Sequence, residues 1–284
     1  MQDRANTVAK RVKDDEPVVL AAAPVRLTGP VLSVNNLSVT YQSSRGPQRA
    51  VEDLNLVVQT GEFVSILGPS GCGKSTLLSV AAGLLPPTRG VAAVSGQEVK
   101  GPRPDVGIVF QQPTLLPWMT VLENVLIPVR ALRRNPGEYK DRAQELLELV
   151  GLAAFSRHYP NELSGGMQQR VSIARALIHD PMLLLMDEPF AALDAMTRER
   201  MSLELQRIWM ANRKTVLFIT HSIPEAVFLS DRILVMSSSP GRFIQEIAVD
   251  LDRPRSVQTM ASASYAAMCG DIRGLFMEQL GHAS

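Results

Sequence analysis

Three observations predict an α/β fold with a largely parallel sheet and a helical subdomain inserted between its strands. Short apolar runs alternate with helix-patterned segments, an order that yields parallel strands joined by crossover helices. The runs at 63–67 and 182–186 are apolar nearly throughout, as suits strands covered on both faces. Between about 120 and 179 the pattern turns helical.

Each element follows in order. Residues 1–29 mix charge, Ala and Pro and are expected to form a flexible N-terminal tail. The apolar stretch 18–23 follows Asp14, Asp15 and Glu16 and ends at Pro24 and Arg26, unlike a signal peptide with its basic start. Segments 31–40 and 51–58 alternate apolar and polar residues, the period of half-buried strands. A buried strand at 63–67 runs into Gly68, and a helix follows at 75–82. Strands are predicted at 90–96 and 106–110. The helical subdomain occupies about 112–180, with a clear helix at 144–150. A strand at 182–186, a helix at 198–210, a strand at 216–220, a short helix at 225–229 and a strand at 233–236 complete the core. The folded domain is expected at 30–255 and a helical tail at 256–284. No internal repeat is visible.

Composition excludes several classes. The chain has 284 residues, 45% hydrophobic and 20% charged, and a net charge of +1 from 29 basic and 28 acidic side chains. Such a balance gives no footprint for nucleic acid. Two cysteines, Cys72 and Cys269, are too few for a disulfide framework and fit a reducing compartment. The longest apolar stretches are strand-sized, well short of the roughly 20 residues of a spanning helix. A membrane partner would have to be another chain.

The chemistry concentrates in a few segments. Gly68, Pro69, Ser70, Gly71, Cys72, Gly73, Lys74, Ser75 and Thr76 form a phosphate loop between a strand and a helix. Its glycines let backbone N–H groups turn inward toward phosphate oxygens, and the helix N-terminus adds partial positive charge. Lys74 is placed to reach β- and γ-phosphates, and the Ser75 hydroxyl to bind Mg²⁺. The loop alone leaves ATP and GTP open. Cys72, beside these N–H groups and Lys74, is expected to favour its thiolate, the alternative being a buried, inert thiol.

Asp187 and Glu188 end the strand at 182–186. There a sheet delivers side chains to ligands. Asp187 is expected to hold Mg²⁺, directly or through water, and Glu188 to act as general base on the attacking water. His221 follows the strand at 216–220 and is expected beside Glu188 at the same edge. His158, His179 and His282 have no such setting. Gln111 follows the strand at 106–110 directly and is preferred over Gln112 as an amide that touches Mg²⁺ and water. Ser164, Gly165 and Gly166 open a helix from about 167 to 177. Ser164 caps it, and the glycines leave N–H groups open to an anion. A chain with two anion sites, one carried on a subdomain, is satisfied by a head-to-tail dimer in which each ATP lies between them. Asp194, in A-A-L-D, would lie near that seam.

Taken together, the phosphate loop, Gln111, L-S-G-G-M-Q-Q-R at 163–170, L-L-L-M-D-E-P at 183–189, A-A-L-D at 191–194 and I-T-H at 219–221 resemble the ATPase subunits of ABC transporters over about residues 31–250. The resemblance implies a P-loop NTPase core with a mostly parallel sheet, an antiparallel β subdomain and an inserted α-helical subdomain. It implies ATP and Mg²⁺ as ligands and adenine stacking on Tyr41. It also implies contact of Ser164, Gly165, Gly166 and Gln168 with the ATP of the other subunit. The implied partners are a second copy, integral membrane permease subunits and, indirectly, a solute-binding protein. The implied location is peripheral, on the cytoplasmic face of the inner membrane.

Three further stretches, at 111–125, 189–198 and 238–255, resemble the importer subgroup for nitrate, aliphatic sulfonates and taurine. The first implies a groove for the permease, in which Leu115, Leu116, Trp118 and Met119 either dock the partner or pack inward. Ser222 and Pro224 depart from that subgroup, although proline suits a first helical turn. No long coiled coil of a DNA-repair ATPase is present, nor the second cassette of a translation-factor ATPase. The transported solute is not encoded: a thiamine precursor or an aromatic acid fits as well as nitrate or a sulfonate. An exporter ATPase fits less well than an importer.

Overall fold

The structure, a computed structural model, describes residues 29–44 and 46–281, with side chains through 277. The expected N-terminal tail lies outside the described residues, apart from Gly29.

Strands β1 (Pro30–Ser43) and β2 (Gly46–Gln59) form a long antiparallel hairpin. Strand β4 (Arg89–Val94) adds antiparallel to β1, and the two-residue β5 (Gln97–Glu98) to β4. The resulting order is β2-β1-β4-β5, the antiparallel subdomain expected.

A second sheet carries the core. Strands β3 (Phe63–Leu67), β6 (Val106–Val109), β7 (Leu183–Asp187), β8 (Thr215–Thr220) and β9 (Arg232–Met236) run parallel. At one edge β10 (Phe243–Ala248) pairs antiparallel with β9, giving the order β10-β9-β3-β8-β7-β6. Side chains alternate between the two faces of a pleated strand. Phe63, Leu184, Met186, Val216 and Phe218 therefore enter the apolar core on the helical side. Val64, Ile66, Leu183, Leu185 and Leu217 enter the core shared with the antiparallel sheet. Both faces are buried, which is why these strands read as continuous apolar runs. Helix α1 (Lys74–Ala81) adds Leu77, Leu78 and Val80 to the second core.

Between β6 and β7 lie α2 (Val121–Val125), α3 (Ile127–Ala131), α4 (Lys140–Leu149) and α5 (Gly165–Leu177), with 3₁₀ turns at Pro136–Tyr139, Ala153–Phe155 and Pro160–Glu162. Thr120 and Glu123 close a capping box on α2, satisfying two backbone N–H groups that the helix leaves free. After β7 come α6 (Ala195–Asn212), α7 (Ile223–Leu229), α8 (Val257–Met260) and α9 (Ala263–Gly281).

Several boundaries move. Strand β2 begins five residues before the predicted 51, because residues 46–50 pair with β1 while remaining largely exposed. Phe110 lies past the end of β6. Helix α6 starts at Ala195 because Asp194 accepts from the Thr197 N–H and caps it there. Strand β10 has no predicted counterpart. It is an edge strand, mostly exposed, so its sequence lacks an alternating apolar face.

Candidate active site

The phosphate loop joins β3 to α1. Gly73 has φ of +100°, and a Cβ there would lie 2.4 Å from Val51 Cγ1 and 2.7 Å from the Ala50 carbonyl oxygen. Only glycine meets both demands. Lys74 is 4% exposed, and its Nζ donates to the carbonyls of Gly68 and Pro69 at 2.9 and 2.8 Å. The ammonium is thus folded over the loop whose phosphates it was expected to meet.

Parallel strands bring the acidic residues to this loop. Asp187 closes β7, and its Oδ1 accepts from Ser75 Oγ at 3.0 Å. Burial pushes the Asp187 carboxyl above its ordinary range; the Ser75 hydrogen bond opposes this, and the neighbouring Glu188 charge adds to it. Glu188 follows with φ of +42°, the left-handed region that a side chain rarely adopts. Its backbone N–H donates to the Ile219 carbonyl at 2.9 Å, which fixes the turn against β8. Glu188 Oε2 lies 2.9 Å from His221 Nδ1, and its Oε1 lies 3.8 Å from Lys74 Nζ. One carboxylate therefore faces an imidazole and an ammonium, in a backbone conformation of the kind found at functional sites.

Gln111 is exposed in the same cleft of about 440 Å³, together with Tyr41, Ser70, Gly71, Lys74, Ser75 and Glu188. Gln112 is not among the lining residues. The segment that carries Gln111 is held by α5. Gln169 Nε2 donates to the Phe110 carbonyl, and Ser172 Oγ and Arg175 Nη2 donate to that of Pro113 at 2.9 and 2.7 Å. The helix that begins at Ser164 thus positions the residue beside the phosphate loop.

Tyr41, at the end of the β1–β2 hairpin, is 44% exposed, and its hydroxyl lies 3.3 Å from Thr76 Oγ1. The residue lines the cleft. The same cleft is lined by Gln48, Ala50 and Ser239, which sequence reasoning missed. Gly241 brings the last of these in: a Cβ there would lie 2.0 Å from the Cys72 carbonyl oxygen. No local pattern encodes that contact.

Cys72 departs from expectation. It is 1% exposed. Burial pushes its thiol up despite the opposing Lys74 charge, so the neutral thiol is favoured and the expected thiolate is not. Desolvation outweighs the nearby ammonium.

Ser164 caps α5 by accepting from the Met167 N–H at 3.3 Å. Ser164 and Gly166 line a separate cleft with Arg170, Thr197, Arg200 and Glu204, which shares no residue with the phosphate-loop cleft. Gly165 is exposed at the start of the helix. Gln168 Nε2 donates to the carbonyls of Pro160 and Leu163 and so shapes the approach to the helix. Asp194 is exposed.

Comparison with known proteins settles the family. The profile described as ABC transporter matches residues 51–191. An uncharacterised ABC transporter ATP-binding protein of Methanocaldococcus jannaschii is 47% identical over 234 residues, covering 82% of this chain and 88% of that one. The chain belongs to the ABC transporter ATP-binding family. A taurine import ATP-binding protein of Burkholderia pseudomallei is 48% identical over 78% of this chain and 85% of its own length. A bicarbonate transport ATP-binding protein of a Synechocystis strain is 44% identical over 86% and 88%. These relatives bear out the resemblance to the small-anion importer group. A dimeric bacterial ABC transporter cassette superposes with a TM-score of 0.69 at 36% identity, covering 78% of this chain and all of that one. A post-hydrolysis form of the same cassette, bound to ADP and Pi, gives 0.68. Among the described residues, no helix of this ABC protein is long and apolar enough to cross a membrane.

Proposed function

We propose that this chain is the ATP-hydrolysing subunit of an importer for a small anion or organic solute such as nitrate, a sulfonate or taurine. The observation that carries the reading is the contact of Glu188 with His221 at 2.9 Å and Lys74 at 3.8 Å, beside the Ser75–Asp187 pair.

The residues divide the work. The phosphate loop and Lys74 bind the nucleotide phosphates, with the ammonium turning from the Gly68 and Pro69 carbonyls to phosphate oxygens. Tyr41 stacks on adenine. Glu188 takes the proton of the attacking water, and His221 holds that carboxylate in line. Gln111 orients the water from the opposite side. Ser75 and Asp187 offer two hard oxygen donors, the set that suits Mg²⁺ bound jointly with phosphates. The ion, when bound, supplies charge neutralisation at the transferred phosphoryl group.

Ser164 and Gly166 line a different cleft of the same chain, with Gly165 exposed between them. We assign them to the ATP of a second copy, with Asp194 at the seam. Two copies close around two nucleotides, and closure moves the Gln111 segment against separate permease subunits served by a solute-binding protein. Such a protein works peripherally, on the cytoplasmic face of the membrane. Relatives named for taurine and bicarbonate transport support a small solute that carries an anionic group.

Glu188→Gln tests the reading, because an amide does not accept a proton as a carboxylate does. Turnover is expected to fall by about 10² to 10⁴, while ATP binding persists and the protein elutes as an ATP-bound dimer on gel filtration. Turnover near wild type would remove Glu188 from this role.

A further inference from the structure

The turn that carries His221 is held from outside the sheet. Thr220 Oγ1 accepts from the Ser222 N–H at 3.0 Å and donates to Glu225 Oε2 at 2.6 Å. Glu225 Oε1 lies 3.2 Å from Arg198 Nε. Ser222 in turn caps α7 by accepting from the Glu225 N–H. His221 is therefore rigidly joined to the first turn of α7, and whatever places α7 places the imidazole.

The C-terminal segment grips α7 at both ends. At its C-terminus the buried Arg255 guanidinium donates through Nη1 to the carbonyls of Val227, Phe228 and Ser230 at 3.1, 2.9 and 2.7 Å. These include carbonyls that the end of a helix leaves unpaired. Arg255 is itself locked in a reciprocal pair, its N–H donating to Gln206 Oε1 at 2.9 Å while Gln206 Nε2 donates to its carbonyl at 2.7 Å. At the N-terminus of α7 the Tyr265 hydroxyl, from α9, donates to the Pro224 carbonyl at 3.0 Å. Burial pushes the Tyr265 phenol up, so it remains a donor across the working pH range. Beside this bond a cavity of about 320 Å³ is lined by Arg198, Ser222, Pro224, Glu225, Met260 and Tyr265, among others. The first turn of α7 has space to shift once the bond is gone.

We propose that Tyr265 is a positioning residue for ATP hydrolysis, holding the α7 turn so that His221 meets Glu188. It touches neither nucleotide nor water and acts through Pro224 and His221. The C-terminal helix then becomes part of the ATPase machinery, and displacing it slows hydrolysis without emptying the nucleotide site. The inference rests on the role assigned to His221.

Tyr265→Phe in the full-length chain tests it, since the ring and its packing remain. The kcat of ATP hydrolysis is expected to fall about threefold to tenfold, the scale of a small misplacement of a catalytic group. KM for ATP and the thermal unfolding midpoint should stay near wild type. The decisive arm repeats the substitution in a His221→Ala background, using single-turnover reactions with enzyme in excess. There the effect of Tyr265→Phe should vanish, as it must when one residue acts only through the other. A wild-type kcat in Tyr265→Phe, beside a His221→Ala protein that has lost turnover, overturns the proposal and leaves His221 standing. The same fold-loss in both backgrounds also overturns it. A His221→Ala protein with wild-type turnover removes the role of His221 and the proposal together.

Discussion

Ser75 Oγ and Asp187 Oδ1 meet at 3.0 Å across 112 residues of chain, tying the phosphate loop after β3 to the acidic end of β7, two strands away in the sheet. The hydroxyl is the donor and the carboxylate the acceptor. Ser75→Ala removes the hydroxyl oxygen and leaves the half-buried Asp187 carboxylate without that partner. We expect the fold to survive and Mg²⁺-dependent hydrolysis to fall on the order of a hundredfold, because a metal supplies several kcal/mol of charge stabilisation. Chelation by EDTA should stop the wild-type enzyme in the same assay of phosphate release. A Ser75→Ala protein with near wild-type turnover at saturating Mg²⁺ would sink the assignment.

Cys72 gives a prediction opposite to its sequence environment. A thiol 1% exposed and pushed up by burial reacts slowly, since the thiolate is the nucleophile. Alkylation of the native protein should be slow with or without MgATP and should speed up only in denaturant. Cys72→Ala should bind ATP normally and lose about 1 kcal/mol of stability, the usual cost of a small core deletion. Rapid labelling of the nucleotide-free protein that MgATP suppresses would show a reactive thiol after all.

How much of the site was legible depends on how local its cause is. The phosphate loop, Asp187, Glu188 and His221 were readable because each follows an apolar strand directly, and parallel strands deliver their ends to one edge. Gln111 was readable for the same reason, since it follows β6 within two residues. Gln48 and Ser239 were not. They reach the cleft through the β1–β2 hairpin and through the close approach of Gly241 to Cys72, contacts between distant segments that no short window contains. The burial of Cys72, open only as the alternative to a reactive thiolate, was not decided by the sequence for a related reason. Its Sγ is close enough to Gly68 that a Cβ there would stand 3.0 Å away, and that packing sets the desolvation which overrides Lys74. Strand β10 was silent because an exposed edge carries no apolar alternation.

His179 predicts how stability varies with pH. It ends the α5 region with Nε2 3.3 Å from the Val106 carbonyl oxygen and a buried Nδ1 without a hydrogen-bond partner. Burial, the largest influence, pulls its pKa below 6.5. The unfolded chain therefore binds more protons than the folded one once pH drops below about 6.5, and stability declines with acidity in that window. The decline stops below the folded pKa, where both states are protonated. Urea unfolding midpoints should fall between about pH 7 and pH 5.5, and His179→Gln should flatten that part of the curve. Parallel curves for the two proteins would assign the acid sensitivity to other groups.

Trp118 is the residue we expect to report on the membrane partner. It is 69% exposed, which removes core packing as its role. Its loop is nonetheless rigid. The buried Asn124 side chain accepts from the Leu116 N–H at 2.8 Å and donates to the carbonyls of Leu116, Met119 and Thr120 at 3.1, 3.0 and 3.0 Å. Leu115 packs back against the core, so the indole is held outward, just past the Gln111 segment. A preorganised aromatic anchor on an exposed patch suits an interface hot spot, worth about 2 kcal/mol or roughly thirtyfold in Kd. Trp118→Ala should weaken assembly with the permease by that factor and abolish transport. Folding and basal ATPase activity of the isolated subunit should stay within about twofold, since a surface substitution away from buried structure usually costs little. Asn124→Ala is the contrast: it strips four loop hydrogen bonds and should lower both assembly and thermal stability. Both quantities are to be measured in one preparation of each variant. Normal assembly by Trp118→Ala, with ATPase intact, would place the permease elsewhere on the surface.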